Sequence, residues 1–260
     1  IYLLKNEFLF ADHRTLEKLC SFLLTDKRGQ KLWAGEAANA AEILNKWDFT
    51  TNVFAGNRYV FVVNQLQNLS LVYLLSGEPA LGQFIRGHVM QIAGLPYEFW
   101  LNSELRGYNP DHPVGGLETA QLCTTLSFVL SAAKDLFPIK EKERIDAALY
   151  NKGLIPCLNW LEKPWKNNWT AVLSNGAYAA SKYLNHQEGV EKSLKGMAIW
   201  LETIQQDGSY GEGMGYFDYP VRSLLPSILI MKNDKLEKTF LSSGLKYSSQ
   251  WQACHYLFQT

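Results

Sequence analysis

Cysteine is scarce in this chain. Cys20, Cys123, Cys157 and Cys254 lie far apart, and no CxxC pair occurs. This excludes zinc-finger spacing and a dense disulfide framework, so the four read as buried thiols. An excess of either charge is also lacking. Lys plus Arg and Asp plus Glu each number 25 in 260 residues. That balance argues against a dedicated nucleic-acid binder, while leaving room for a local basic groove. No apolar run is long enough to cross a bilayer. No alternating strand pattern stands out, and no glycine run has Walker-loop or dinucleotide spacing. The chain opens on Ile1 rather than methionine and reads as a processed or trimmed product.

What remains is helix. Leucines at helical spacing predict a helix from about 14 to 25, and an alanine-rich one from Gly35 to Trp47. Residues 59–76 are apolar for too long to be one strand, so they predict a buried helix closed by Gly77. Pro79 suits the first turn of the next helix. Residues 95–114, with three prolines, read as a long irregular connection carrying Arg106, Tyr108 and His112. Further helices are expected over 115–136, over 139–162 with a break near Gly153 or Pro156, from Trp169 through Leu184, and over 187–206. Two or three short helices close the chain from about 220. Stacked helical hairpins of this kind bury their apolar faces in a superhelix or a ring. The expected fold is therefore all-α, spanning 1–260 as a single domain, as a superhelix or as a ring, whose ring version is the (α/α) toroid.

One stretch differs from this scaffold. Asp207-Gly208-Ser209-Tyr210-Gly211-Glu212-Gly213-Met214-Gly215-Tyr216-Phe217-Asp218-Tyr219-Pro220 concentrates glycine, tyrosine and acid between two helices. It reads as a loop whose backbone can bend sharply or let a ligand approach. A tyrosine phenol can act as general acid, or as base where phenolate is stabilised. The plainer reading is that Tyr210, Tyr216 and Tyr219 only pack. Upstream, Asn167-Asn168-Trp169-Thr170 opens a helix, and Asn168 reads either as its cap or as a carboxamide aimed at a ligand.

The helix Asn-Asn-Trp-Thr-Ala-Val-Leu-Ser-Asn-Gly-Ala-Tyr-Ala-Ala is followed about forty residues later by Asp-Gly-Ser-Tyr-Gly-Glu-Gly-Met-Gly-Tyr-Phe-Asp-Tyr. Together these resemble the toroid domain of the heparinase II/III-like polysaccharide lyases, which are related to the oligoalginate lyases. The match covers residues 165–222; elsewhere only the helical texture is shared.

The resemblance implies an incomplete (α/α) toroid and β-elimination on a uronic-acid polymer, without cofactor or metal. Tyr216 matches the family's base and acid, with Tyr219 ranked second. Asn168 matches the polar residue that neutralises the uronate carboxylate. Asn167, Trp169, Glu212, Tyr219, Arg106, His112 and Arg222 are candidate substrate-binding residues. Lys163 and Lys166 are further candidates to hold acidic sugars. His112 also reads as an exposed loop histidine, and the cations as solvated surface charges. The expected partner is an acidic polysaccharide or oligosaccharide, with no nucleic acid and no membrane, in a periplasmic or secreted setting. Family members carry a β-sandwich after the toroid that supplies a catalytic histidine. This chain stops at Thr260 while still reading as helix, so a fragment lacking that β-domain is expected. Two alternatives stay open. One is a glycoside hydrolase on the same toroid, recruiting Glu212 with Asp218 or Asp207. The other is a non-catalytic helical module that binds glycan or protein.

Overall fold

The computed structural model describes residues 8–46, 58–107, 109–231 and 244–257, and Tyr108 and Trp47 lie outside them. The described residues are helical, with no β-strand and two isolated bridges, Phe8 to Ala11 and Ile204 to Tyr210. They form two compact units. One comprises Ile1–Phe99 with Thr125–Asn151, the other Trp100–Thr124 with Lys152–Thr260.

The first unit begins with a helical hairpin, α1 (His13–Thr25) and α2 (Lys27–Lys46). Asp12 starts α1 by accepting the Thr15 N–H at 2.7 Å. At the hairpin turn Asp26 accepts the N–H groups of Arg28 and Gly29. A Cβ at Gly29 would sit 2.1 Å from the Phe22 carbonyl oxygen. The two helix backbones can therefore approach only with glycine there. This explains why α2 begins at Lys27 rather than at Gly35: Asp26 provides the cap, and both glycines lie inside the helix. The apolar run forms α3 (Arg58–Ser76), closed by Gly77 at φ +70°. Pro79 occupies the first turn of α4 (Pro79–Gly94), whose Ile85, Val89 and Ile92 are fully buried. A bidentate pair from Arg86 to Glu141 ties α4 to α8 (Ile139–Ala148).

The segment expected to be irregular holds two single-turn helices, α5 (Tyr97–Trp100) and α6 (Ser103–Arg106), with Asn102 and Gly107 at positive φ. α7 (Leu117–Ala132) contributes its first half to the second unit and its second half to the first. The expected break near Gly153 and Pro156 is a π-helical turn, Leu149–Leu154, leading into α9 (Ile155–Trp160).

The second unit is organised around α10 (Asn168–Leu184), buried at nearly every position from Asn168 to Ser181. Small residues make this possible. A Cβ at Gly176 would lie 2.4 Å from the Ala120 carbonyl oxygen, so α7 and α10 pack backbone to backbone. Gly196 of α11 (Gln187–Leu201) leaves room for the Ser174 side chain, whose hydroxyl would lie 2.2 Å from a Cβ there. The Asn175 carboxamide donates to Thr124 Oγ1 at 3.0 Å and accepts from Ser227 Oγ, fastening α10 to α7 and to α12 (Met214–Ile230). Trp200, Tyr210 and Phe217 form an aromatic centre against Tyr178 and Leu224. Beyond it, a 3-10 turn, Gly244–Tyr247, leads into α13 (Ser248–Leu257).

Here one expectation is corrected. The glycine-tyrosine stretch is not a loop through Pro220, because α12 starts at Met214. Gly213, at φ +83°, turns the chain into the helix, and Pro220 and Pro226 lie within it. Proline lacks the N–H that the carbonyl four residues earlier would accept from, so Pro220 leaves the Tyr216 carbonyl without its helical donor.

Candidate functional site

The N-terminus of α10 and the stretch before α12 meet. Glu212 Oε2 accepts the backbone N–H of Asn168 at 3.2 Å, across 44 residues of sequence. The same oxygen accepts a hydrogen bond from the Tyr210 hydroxyl, which in turn accepts from Trp200 Nε1 at 3.4 Å. A carboxylate at a helix N-terminus satisfies one orphan donor and complements the helix dipole. Burial, and then the hydrogen bond to Glu212, hold the Tyr210 phenol above its ordinary value. Tyr210 is thus the packed tyrosine of the three.

The cap of α10 is Asn167, not Asn168. Asn167 has extended backbone and its Oδ1 accepts the Thr170 N–H at 3.3 Å. Asn168 is the first helical residue, only 6% exposed, and its carboxamide makes no hydrogen bond with any described residue. The reading of Asn168 as a simple cap therefore fails, because its neighbour has that role.

Tyr216 is 62% exposed on the first turn of α12, without a side-chain hydrogen bond or ring contact among the described residues. Tyr219, one turn on, is half-buried, and its hydroxyl accepts from Gln121 Nε2 at 2.8 Å. Burial raises its phenol, and the Glu118 carboxylate adds to this. The Gln121 hydrogen bond and the Arg106 charge act the other way. Arg222, on the exposed side of α12, pairs with Asp218 at 2.8 Å.

Beside the start of α10 lies a cleft of about 620 Å³. It brings Arg106, His112, Asn167 and Trp169 together with Trp160, Trp165 and Asn109. Arg106 donates to both oxygens of Glu118, at 3.3 and 3.1 Å, and its guanidinium lies 4.7 Å from the Trp169 ring centroid. His112 is exposed, as its plainer reading expects, yet it lines the cleft, with Nε2 3.9 Å from Glu162. Tyr216, Tyr219, Glu212, Asn168 and Arg222 are not among the lining residues.

Sequence reasoning missed Trp160, Trp165, Glu118 and Gln121 as parts of this region. Three tryptophans within residues 160–169 were a visible signal for the first two. Glu118 and Gln121 carried none, since both read as ordinary polar positions on α7.

Among the described residues, no group of three or more His, Cys, Asp or Glu is placed to hold a metal ion. No described helix is long and apolar enough to cross a membrane. No protein-family model matches the chain, and no curated protein matches its sequence.

Proposed function

We propose that the chain is the helical part of a polysaccharide lyase that cleaves a uronic-acid-containing chain by β-elimination. The reading takes it as a toroid of the heparinase II/III-like kind, similar to the oligoalginate lyases, working in the periplasm or outside the cell. The observation that carries it is the hydrogen bond from Asn168 N–H to Glu212. It holds the two motif segments side by side, with a carboxamide that is unengaged among the described residues on one and an exposed phenol on the other.

In this mechanism the Asn168 carboxamide donates to the uronate carboxylate and stabilises the charge that develops when the C5 proton leaves. Tyr216, as phenolate, takes that proton. The C5–H electron pair forms the C4–C5 double bond, the C4–O bond breaks, and the departing oxygen receives a proton from the tyrosine. The hydrolase alternative has less support. Glu212 is engaged by Tyr210 and Asn168, Asp218 by Arg222, and Asp207 by the Ser209 backbone N–H at 2.9 Å.

The test is near-ultraviolet absorbance of the unsaturated product from a panel of uronate polymers, using the protein carrying any β-domain that follows this chain. Tyr216→Phe is expected to lower the rate by about 10²–10⁴-fold. Tyr219→Phe is expected to leave most of it. Reducing ends released without the new double bond would refute elimination. A second reading, saccharide binding without turnover, is favoured by the tryptophan-lined cleft and predicts binding that Tyr216→Phe does not change.

A further inference from the structure

The connection between α9 and α10 gathers tryptophan in an unusual way. The ring centroids of Trp160 and Trp169 lie 5.1 Å apart at 31°, and those of Trp160 and Trp165 lie 6.3 Å apart at 51°. Trp165 nevertheless leaves 68% of its surface to solvent. Tryptophan burial is among the largest apolar gains a side chain offers, so a ring left open beside two others is an available surface. The backbone beneath it is fixed. The Trp165 carbonyl accepts from Thr170 Oγ1 at 2.5 Å and from the Asn167 N–H at 2.9 Å. The adjoining cleft is of small-ligand size and adds the amides of Asn109 and Asn167.

The charges around this cleft are already matched. Its ionisable lining residues are Arg106 and His112. Arg106 is bound by Glu118 through two nitrogens. Nearby, Lys166 pairs with Glu202 at 3.1 Å and Lys192 with Glu162 at 3.6 Å. Lys163 is the exposed cation of this connection with no ion pair among the described residues. A polysulfated chain is recognised by clusters of unmatched Arg and Lys that make charge-assisted bonds to each sulfate. Such clusters are absent among the described residues of this region. A sugar carrying a single carboxylate needs only one or two donors, and its apolar ring face gains from an open indole.

We propose that this cleft is a subsite for an unsulfated acidic saccharide, with a sugar ring stacked on Trp165. The substrate of the lyase reading above, on which this rests, is then an unsulfated uronate chain.

The experiment is calorimetric titration of the full chain carrying Tyr216→Phe, to prevent turnover. Three tetrasaccharide probes are used: an unsulfated uronate, an O-sulfated form of the same backbone, and a neutral one. The unsulfated uronate is expected to bind about 10-fold or more tightly than either of the others. Adding Trp165→Ala is expected to weaken it by about 10-fold or more, as loss of an aromatic anchor does. Trp165→Phe is expected to retain most of the affinity, and neither change should move the melting temperature. Equal or tighter binding of the sulfated or neutral probe overturns the proposal, as does no binding of any probe or unchanged affinity in Trp165→Ala. Elimination is measured separately, on the Tyr216 form. Absence of unsaturated product there removes the lyase reading while leaving the stacking result standing.

Discussion

Glu212 holds the backbone N–H of Asn168 at 3.2 Å with the same carboxylate oxygen that receives the Tyr210 hydroxyl. One exposed acid therefore joins a buried aromatic centre to the start of the central helix. Glu212→Ala should cost about 1–2 kcal/mol, because two donors lose their shared acceptor. Glu212→Gln should recover part of this, and chemical denaturation reads both. An unchanged midpoint in Glu212→Ala would show that the bridge contributes nothing.

The adjacent asparagines should separate cleanly. Asn167→Ala removes the cap and should destabilise by about 1 kcal/mol. Asn168→Ala removes a carboxamide with no hydrogen-bond partner among the described residues, so under the proposed lyase reading its larger effect should fall on activity, about 10²–10³-fold. Melting temperature and elimination rate, measured on both variants, decide the matter. The reverse pattern would overturn the assignment of roles.

In the first unit, His88 packs against Phe84 with ring centroids 3.9 Å apart, and its Nδ1 meets the Phe84 carbonyl at 2.7 Å. Burial pushes its pKa down to about 3. The ordinary unfolded value is near 6.5, so the unfolded chain binds an extra proton between these two limits. The contribution is complete above about pH 6.5 and is lost as pH falls toward 3, by at most about 1.4 kcal/mol per pH unit. Denaturation midpoints should fall between pH 7 and pH 4, and His88→Phe should flatten that fall. An equal slope in the variant would exclude His88 as its source.

Two glycines of the second unit should respond differently to alanine. At Gly176 a Cβ meets the Ala120 backbone, with its carbonyl oxygen at 2.4 Å and Cα at 2.5 Å, and neither can turn aside. Gly176→Ala should cost about 1–3 kcal/mol or more through overpacking. At Gly196 the closest atom is the Ser174 hydroxyl at 2.2 Å, the end of a short side chain that can rotate. Gly196→Ala should cost less, and Gly196→Ala combined with Ser174→Ala less again. Thermal melts of the three variants rank them.

Long apolar periodicity made most of the helices legible, as in α3, α4, α7 and α10. It failed where one local feature outweighed it. The stretch through Pro220 read as a loop, yet a helix can carry an internal proline when surrounding packing fixes its backbone, and Pro220 is buried. The division into two units was not readable at all. It joins discontinuous segments, and hydrophobic patterning records which face is buried but not against what. At the site, the motif spacing brought attention to Asn168, Glu212 and Tyr216. The engagement of Glu212 and the capping by Asn167 depend on atomic geometry that neighbouring side chains decide. The Arg106 to Glu118 pair was hidden because Arg106 lies in a Pro-rich connection and Glu118 on a helix.

Asn175 precedes Gly176, the dipeptide most prone to cyclise through attack of the next backbone nitrogen on the side-chain amide. Here the carboxamide is held at both ends by Thr124 and Ser227, and the backbone is locked in mid-helix. Succinimide chemistry is thus reserved for molecules that have come apart. Isoaspartate at this position would act as a chemical record of how often each copy has opened during its lifetime.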